Sequence, residues 1–365
     1  MGVSSMDQDE AAPSAFAFRG TWQEFAPIAF TNLLLTIVTL GVYSFWARAR
    51  ERRYLWSRTR FIDERLEWTG TGLELFIGWV LVLVLFLAPL LALQFGIQAL
   101  ILRGHNGIAA LLGIVAYLAI FYLIGVAVFR ALRYRLSRTF WHGIRGGSDD
   151  QGFGYALQYM WRTIVGFVAF GLMVPWSMTS LWNRRWNAMS FGPYRFSADA
   201  DWNKIIGRYL LIFVAVIVMG FVMVGGGLMA ASALGPERTA QDARAAMGIA
   251  LLVGLLGFYI IVPLLSLAFY AAYFREAVGK LSLGGLDFGF EARTKDWLKL
   301  FLGNIALVIV TLGIGIIFLG YRNWSFFIRH LHAYGELDLD ELTQSTTRLP
   351  GQGEGLLDAF DVGAI

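Results

Sequence analysis

Of the four histidines, His330 and His332 alone stand close enough to act together. An H-x-H pair on a strand can bind a metal ion, and Asp338 or Asp340 on a returning strand would add an oxygen ligand. Spacing fixes no third ligand, so two polar residues on a solvated strand is the plainer reading. His105 and His142 fall in short turns, and with 0 cysteines the chain has no thiolate ligand, thiol nucleophile or disulfide. Nowhere do a nucleophile, an acid and a base converge. No catalytic residue, cofactor or metal site is assigned, and the expectation is a protein that is not an enzyme.

Polar residues inside the apolar stretches are few. None of those stretches carries Asp, Glu or His near its middle, where proton relays place one, which argues against proton-coupled pumping. Asn32, Asn304, Gln94 and Arg162 are the candidate intramembrane polar positions. Asn32 and Asn304 are expected to satisfy freed backbone groups, with contact to a permeant molecule as the sharper alternative. Arg162 either snorkels to the interface or meets a lipid phosphate. Arg52, Arg53 and Tyr54, Arg133 with Tyr134, and Arg185 beside Trp186 are the candidate lipid-headgroup contacts. There a guanidinium and a phenol can share one phosphate, and the 13 tryptophans match an interfacial belt. Basic residues fixed at membrane ends point to anionic phospholipid as partner, and no nucleic acid is expected.

The elements that hold these residues are set by composition. The 365 residues are 57% hydrophobic and 15% charged, beyond what a soluble core needs. Four stretches exceed the roughly 18 residues that span hydrocarbon as a helix: 75–102, 108–129, 205–234 and 247–274. Three more, 22–46, 155–182 and 298–321, each contain a breaker: Thr39-Leu40-Gly41, Val174-Pro175 and Thr311-Leu312-Gly313. Residues 32–41 and 304–313 agree at seven of ten positions, an internal repeat to which the middle stretch adds a weaker copy. Gly41 and Gly313 are expected at reversals where a side chain would crowd the turn. The first residues do not resemble a cleavable signal peptide.

Five of the seven stretches end in basic and aromatic residues followed by a strand-turn-strand pattern, which predicts five small β-hairpins. Of the 30 Lys and Arg, 24 fall in segments 47–73, 130–153, 183–204, 275–299 and 320–348. The positive-inside rule makes those segments and both termini cytoplasmic, and the connections near Gly104 and Gly235 external. Seven simple spans cannot achieve that parity. The three broken stretches are therefore expected to enter and leave on one face as re-entrant helical hairpins.

The run Phe18-Arg19-Gly20, Asn32 to Thr36, Thr39 to Trp46, Arg52-Arg53-Tyr54 and Trp68 to Gly72 resembles the YjgN family of bacterial inner-membrane proteins, from about Phe18 to about Asp340. That resemblance implies residence in a bacterial inner membrane and supplies no activity or ligand. The expected fold is an all-α integral membrane protein: a polytopic helical bundle with pseudo-repeats in a membrane domain 18–342, between a disordered tail 1–17 and a C-terminal tail 343–365. Repeats about an axis along the membrane normal suit a transporter or passive conduit for a small or amphipathic solute. The alternative is a non-transporting scaffold or regulator that binds lipid or a protein partner. A homo-oligomer stays open, since the 41 glycines favour close helix contact.

Overall fold

A computed structural model describes residues 15–233, 240–337 and 341–351. Three elements repeat one shape. Helices α1 (Trp22–Val38) and α2 (Ser44–Ser57), α6 (Phe153–Val168) and α7 (Val174–Trp186), and α10 (Thr294–Val310) and α11 (Leu319–His330) form helix-turn-helix pairs, the last with a 3-10 turn Ile314–Phe318 before α11. At each reversal a bulky residue near φ 50° precedes a glycine near φ 90°: Leu40-Gly41, Phe170-Gly171 and Leu312-Gly313. Each glycine N–H donates 2.8 Å to the carbonyl five residues back, on Thr36, Gly166 and Val308, which closes the helix end as a Schellman motif does. In the middle pair the reversal is therefore Phe170-Gly171, and Pro175, expected as the breaker, sits in the first turn of α7, where its missing N–H costs nothing. Crowding is also not what selects glycine. Nothing lies within 4 Å of a Cβ built at Gly41 or Gly313, so the left-handed backbone is the reason.

Between these pairs run long helices. Three are long and apolar enough to cross a membrane: α5 (Asn106–Arg138), α8 (Asn203–Ala233), apolar over Asn203–Met229, and α9 (Ala240–Gly279), apolar over Met247–Gly279. The fourth expected span is interrupted. Helix α3 (Gly72–Val82) passes through a π turn, Leu83–Leu87, into α4 (Ala88–Leu102). Pro89 explains the turn, because its ring clashes with the carbonyl four residues back and a wider turn relieves that contact. At ~1.5 Å per residue, the 33 residues of α5 make a rod of about 50 Å that carries Arg130 to Arg138 well past the ~30 Å hydrocarbon.

The all-α expectation fails at the helix ends. The predicted hairpins do not stand apart: strands β4 (Glu67–Trp68), β5 (Thr139–Trp141), β6 (Ile144–Gly147), β7 (Ser190–Phe191), β8 (Tyr194–Ala198), β9 (Leu281–Leu283), β10 (Leu286–Phe290) and β11 (Leu331–Gly335) join edge to edge as one antiparallel sheet in that order. Strands β1 (Phe16–Phe18), β2 (Thr59–Phe61) and β3 (Glu64–Arg65) form a second. Strands of 2 to 5 residues are too short to stand alone, and edge pairing satisfies their open backbone groups. The sheet curls, since Phe61, Trp141 and Leu286 from distant strands share one apolar cluster and Phe16 lies 6.3 Å from Phe288. The first helical pair thus leaves and returns to the smaller sheet, through β1 and β2, and the other two leave and return to the larger one.

The tail boundaries also move. Phe16 and Ala17, assigned to the N-terminal tail, pair with β2 together with Phe18. Residues 343–349, assigned to the C-terminal tail, strap the sheet: Gln344 accepts from Arg145 N and donates to Gly143 O, while Arg348 O accepts from Arg133. The returning strand of the fifth hairpin falls on residues 338–340, so Asp338 and Asp340 lie outside the described residues.

Gly41→Ala and Gly313→Ala should each destabilise the folded protein by about 1–2 kcal/mol, the cost of a left-handed L-residue. Gly113→Ala, with equally open space and no positive φ, should be neutral or mildly stabilising. Thermal unfolding in detergent would show equal effects at all three sites if the reversals were ordinary helix.

Candidate anion-binding clefts at the sheet end of the helices

Most basic and aromatic residues at the sheet end are spent on the fold. Thr21 and Thr71 cap α1 and α3 by accepting from Glu24 N and Glu74 N, which fixes each glutamate in a first turn. Each glutamate then meets the same pair. The Tyr54 hydroxyl donates 3.2 Å to Glu24, which pairs with Arg58 at 3.2 Å. The Tyr134 hydroxyl donates 2.9 Å to Glu74, which pairs with Arg138 at 2.8 Å. Burial first, and Glu24 second, push the Tyr54 phenol up to about 12, so it stays protonated and donating. The signal was legible as Tyr-x-x-Ser-Arg-Thr at Tyr54 and again at Tyr134, with Thr-x-x-Glu before α1 and α3.

Five of the six headgroup candidates are therefore drawn inward. Arg52 is buried with its guanidinium 5.2 Å from the Trp68 ring centroid, Tyr54 is buried on Thr21 O and Glu24, and Tyr134 is buried on Glu74. Arg133, 2% exposed, donates to Asp150 O and Arg348 O, and Arg185, 5% exposed, lies 5.8 Å from the Trp182 ring. Arg52, Arg53 and Tyr54 do not converge on one phosphate, because consecutive helix residues point about 100° apart. Arg53 alone faces out, beside Arg50, Tyr43 and Thr71 in a cleft of about 340 Å³. Nor do the tryptophans form only a belt. Trp56 and Trp324 stack at 4.1 Å and donate to Thr139 and Thr59, Trp141 donates to Phe61 O, and Trp22 and Trp161 remain exposed.

The intramembrane polar residues divide likewise. Asn32 donates across its helix pair to Ala47 O at 3.2 Å. Asn304 accepts 2.7 Å from Arg322 and donates 3.1 Å to Asn323, again across the pair. Gln94 lines an apolar cleft of about 250 Å³ between α4 and α5 with Leu90, Ile97, Tyr117 and Ile120. Arg162 lies over Trp176, 5.4 Å from its centroid. His330 and His332 do not share a strand: His330 ends α11 against Phe326 O, and His332 on β11 lies 3.7 Å from Glu291.

The uncommitted cations gather where α8, α9 and α10 meet the sheet. Arg208, Arg275, Arg293 and Lys295 surround a cleft of about 690 Å³ with Phe290, Glu291 and Thr294. Among the described residues none of the four cations has a carboxylate within 4.0 Å, and Glu291 is turned to His332 and Tyr334. Arg275 is held by a 2.7 Å bond to Ala292 O, as Arg133 is held by Asp150 O. Thr294 and Lys295 open α10, so the helix N-terminus adds partial positive charge. Such a cleft attracts a phosphate or other oxyanion. No local pattern marks it, because Arg208, Arg275 and Arg293 come from three separate elements.

Helices of membrane length closing on a sheet rich in basic residues define a polytopic membrane protein. The chain belongs to the family described as bacterial protein of unknown function, DUF898, whose profile matches residues 13–359. It is 23% identical over 246 residues to inner membrane protein YjgN of Escherichia coli strain K12, covering 58% of each chain. It is 28% identical over 145 residues to inner membrane protein YjgN of Salmonella typhimurium strain LT2, covering 40% of this chain and 33% of that one. The chain thus spans a little over half of the Escherichia coli relative. No solved structure matches.

Arg133→Gln should destabilise the protein by about 2–3 kcal/mol, the value of charge-assisted bonds left buried and unmade. Arg53→Gln, at an exposed site, should stay within about 0.5 kcal/mol of the wild type. Paired unfolding curves in detergent test this, and equal tolerance of both changes would return Arg133 to the lipid interface.

Proposed function

We propose that this protein is a non-catalytic membrane platform that holds anionic phospholipid at the cytoplasmic face of the inner membrane. The observation that carries the reading is the Arg208, Arg275, Arg293 and Lys295 cleft, four cations without a carboxylate partner among the described residues, at the end of two membrane-length helices. Each basic residue near an anionic surface contributes on the order of 1 kcal/mol, so four suffice for a phosphate headgroup. The remaining clefts by Arg53 and by Lys299, Arg322 and Arg329 have the same character.

The three helix-turn-helix pairs are re-entrant in this reading, copies of one unit dipping from the cytoplasmic side. Three lines support it. The reversals share one hydrogen-bond pattern, both arms return to a sheet, and the tips are apolar and bare: Leu40, Phe170 and Leu312 are 94%, 85% and 93% exposed. The returning arms gain an arginine 7, 13 and 9 residues after the glycine, at Arg48, Arg184 and Arg322. At ~1.5 Å per residue that allows about 10–20 Å of penetration, one leaflet of a ~30 Å core.

A conduit for a small or amphipathic solute is the second reading. The cleft around Gln94 favours it, since its Leu, Ile and Tyr lining suits a partly apolar molecule. Against it, the long helices bury only 6–11% of their most apolar windows, which leaves their surface to lipid rather than to a lined path.

Phosphatidylglycerol should raise the Tm of the detergent-solubilised protein more than phosphatidylcholine does, because a ligand of the folded state stabilises it by mass action. The difference should shrink in the Arg208→Gln, Arg293→Gln double variant. A shift that ignores headgroup charge, or survives the double variant, would refute headgroup binding at this cleft. For topology, single cysteines at exposed Ser197 or Gly284 in this chain of 0 cysteines should resist a membrane-impermeant thiol reagent in intact cells. Labelling there from the periplasm would overturn the orientation.

A further inference from the structure

We propose that Arg162 is a second phosphate site, set within the middle helix-turn-helix pair and built to hold the phosphodiester of a phospholipid. The three pairs offer an internal comparison. Asn32, Arg162 and Asn304 each stand nine residues before the left-handed glycine of their own reversal, so they occupy one structural position. In the outer two pairs that position clasps the arms, Asn32 to Ala47 O and Asn304 to Arg322 and Asn323. Arg162 makes no such clasp. Its Nε and Nη1 are buried and without a hydrogen-bond partner, and it rests on the face of Trp176. Among the described residues no carboxylate lies within 4.0 Å of it, and the nearby charge is that of Arg184, of its own sign.

An uncompensated guanidinium at this depth is costly, and buried donors without acceptors add to the cost. Two acceptor oxygens on one anion remove both penalties, and a planar guanidinium fork fits phosphate in that way. The residue as a whole is only half-buried, and a rotation off the Trp176 face presents the fork to a ligand. The neighbouring surface decides between sources of phosphate. The helix that carries it runs on to an apolar tip, with Phe167 and Val168 71% and 74% exposed, and Trp161, next to it in sequence, is 47% exposed, so apolar surface along the same helix suits acyl chains rather than a free ion. Arg184 on the returning arm supplies the second cation. The site uses none of the residues of the Arg208 cleft.

The informative variant is Arg162→Asn, which installs the clasp residue of the other two pairs and so should fold. Native mass spectrometry of the full chain in detergent, titrated with phosphatidylglycerol, should show one binding event weakened about tenfold in that variant, the equivalent of losing one charge-assisted hydrogen bond. The event lost in the Arg208→Gln, Arg293→Gln variant should be a different one. Binding curves for Arg162→Asn that overlay the wild type would overturn the site. If that variant folds poorly, Arg162→Lys decides instead: lysine keeps the charge without the fork, and an unweakened event again overturns the proposal. Competition with inorganic phosphate separates the sources. No displacement at millimolar phosphate supports the lipid, and displacement at that concentration overturns the lipid assignment in favour of a soluble anion.

Discussion

The helical elements of this chain are tied at one end to two hydrogen-bonded sheets of short strands, and most other features follow from that anchoring. A strand of two or three residues has no independent stability, yet each helical pair is closed at its base by such strands. Pairing them edge to edge turns these weak closures into two antiparallel sheets that share one apolar cluster, Phe61 from the smaller and Trp141 and Leu286 from the larger. Helices with so little mutual burial do not need to pack tightly against one another. Their spacing is imposed from the sheet end, and their apolar surfaces are free for the bilayer.

The same anchoring decides the fate of the basic residues. Charge bias toward one face is a topological signal during insertion, but in the folded protein those arginines must still find acceptors. Most find them inside the layer: Arg58 and Arg138 on glutamates in first helical turns, Arg133 and Arg275 on carbonyls seventeen residues further along the chain. Composition therefore overstates the charge available to a ligand. What is left over, in the Arg208 cleft and at Arg162, is small enough to be specific.

Sequence patterning reached the long helices, the broken pairs and the strand-turn-strand punctuation, because each rests on local periodicity or on Gly-rich turns. It missed the continuous sheet, since the pairing of β6 with β7 or β8 with β9 is decided by tertiary placement and leaves no local trace. It misplaced the middle breaker because Pro175 is a louder signal than Phe170-Gly171, although the register Phe167-Val168-Ala169-Phe170-Gly171 matches Ile37 to Gly41 in character. It also read Tyr54 and Tyr134 as headgroup ligands, when the fold turns their hydroxyls onto Glu24 and Glu74. Of the candidate site, Arg162 was legible as an anomaly. Its equivalence to Asn32 and Asn304 needed the reversal to be placed first.

On the proposed topology, the depth of the three dipping pairs is set by a balance that requires no partner. The tips carry Ile37, Val38 and Leu40, Phe167, Val168 and Phe170, and Ile309, Val310 and Leu312, all more than half exposed in the isolated chain. Burying a side chain of this size in hydrocarbon is worth roughly 1.5–3 kcal/mol, so nine of them draw the tips inward strongly. Arg48, Arg184 and Arg322 resist, because a guanidinium at the bilayer centre costs at least ~2.5 kcal/mol and more without a partner. The second pair differs in carrying a cation, Arg162, where the other two carry Asn32 and Asn304, in addition to Arg184 on its returning arm. If all three tips reach one depth, Arg162 and Arg322, each nine residues from its glycine, sit level, but Arg322 donates to Asn304 and Arg162 has no such acceptor, so it must carry a counter-charge down with it. A bound lipid phosphate meets that requirement, and the local thinning it implies would occur at one pair of the three rather than symmetrically around the sheet.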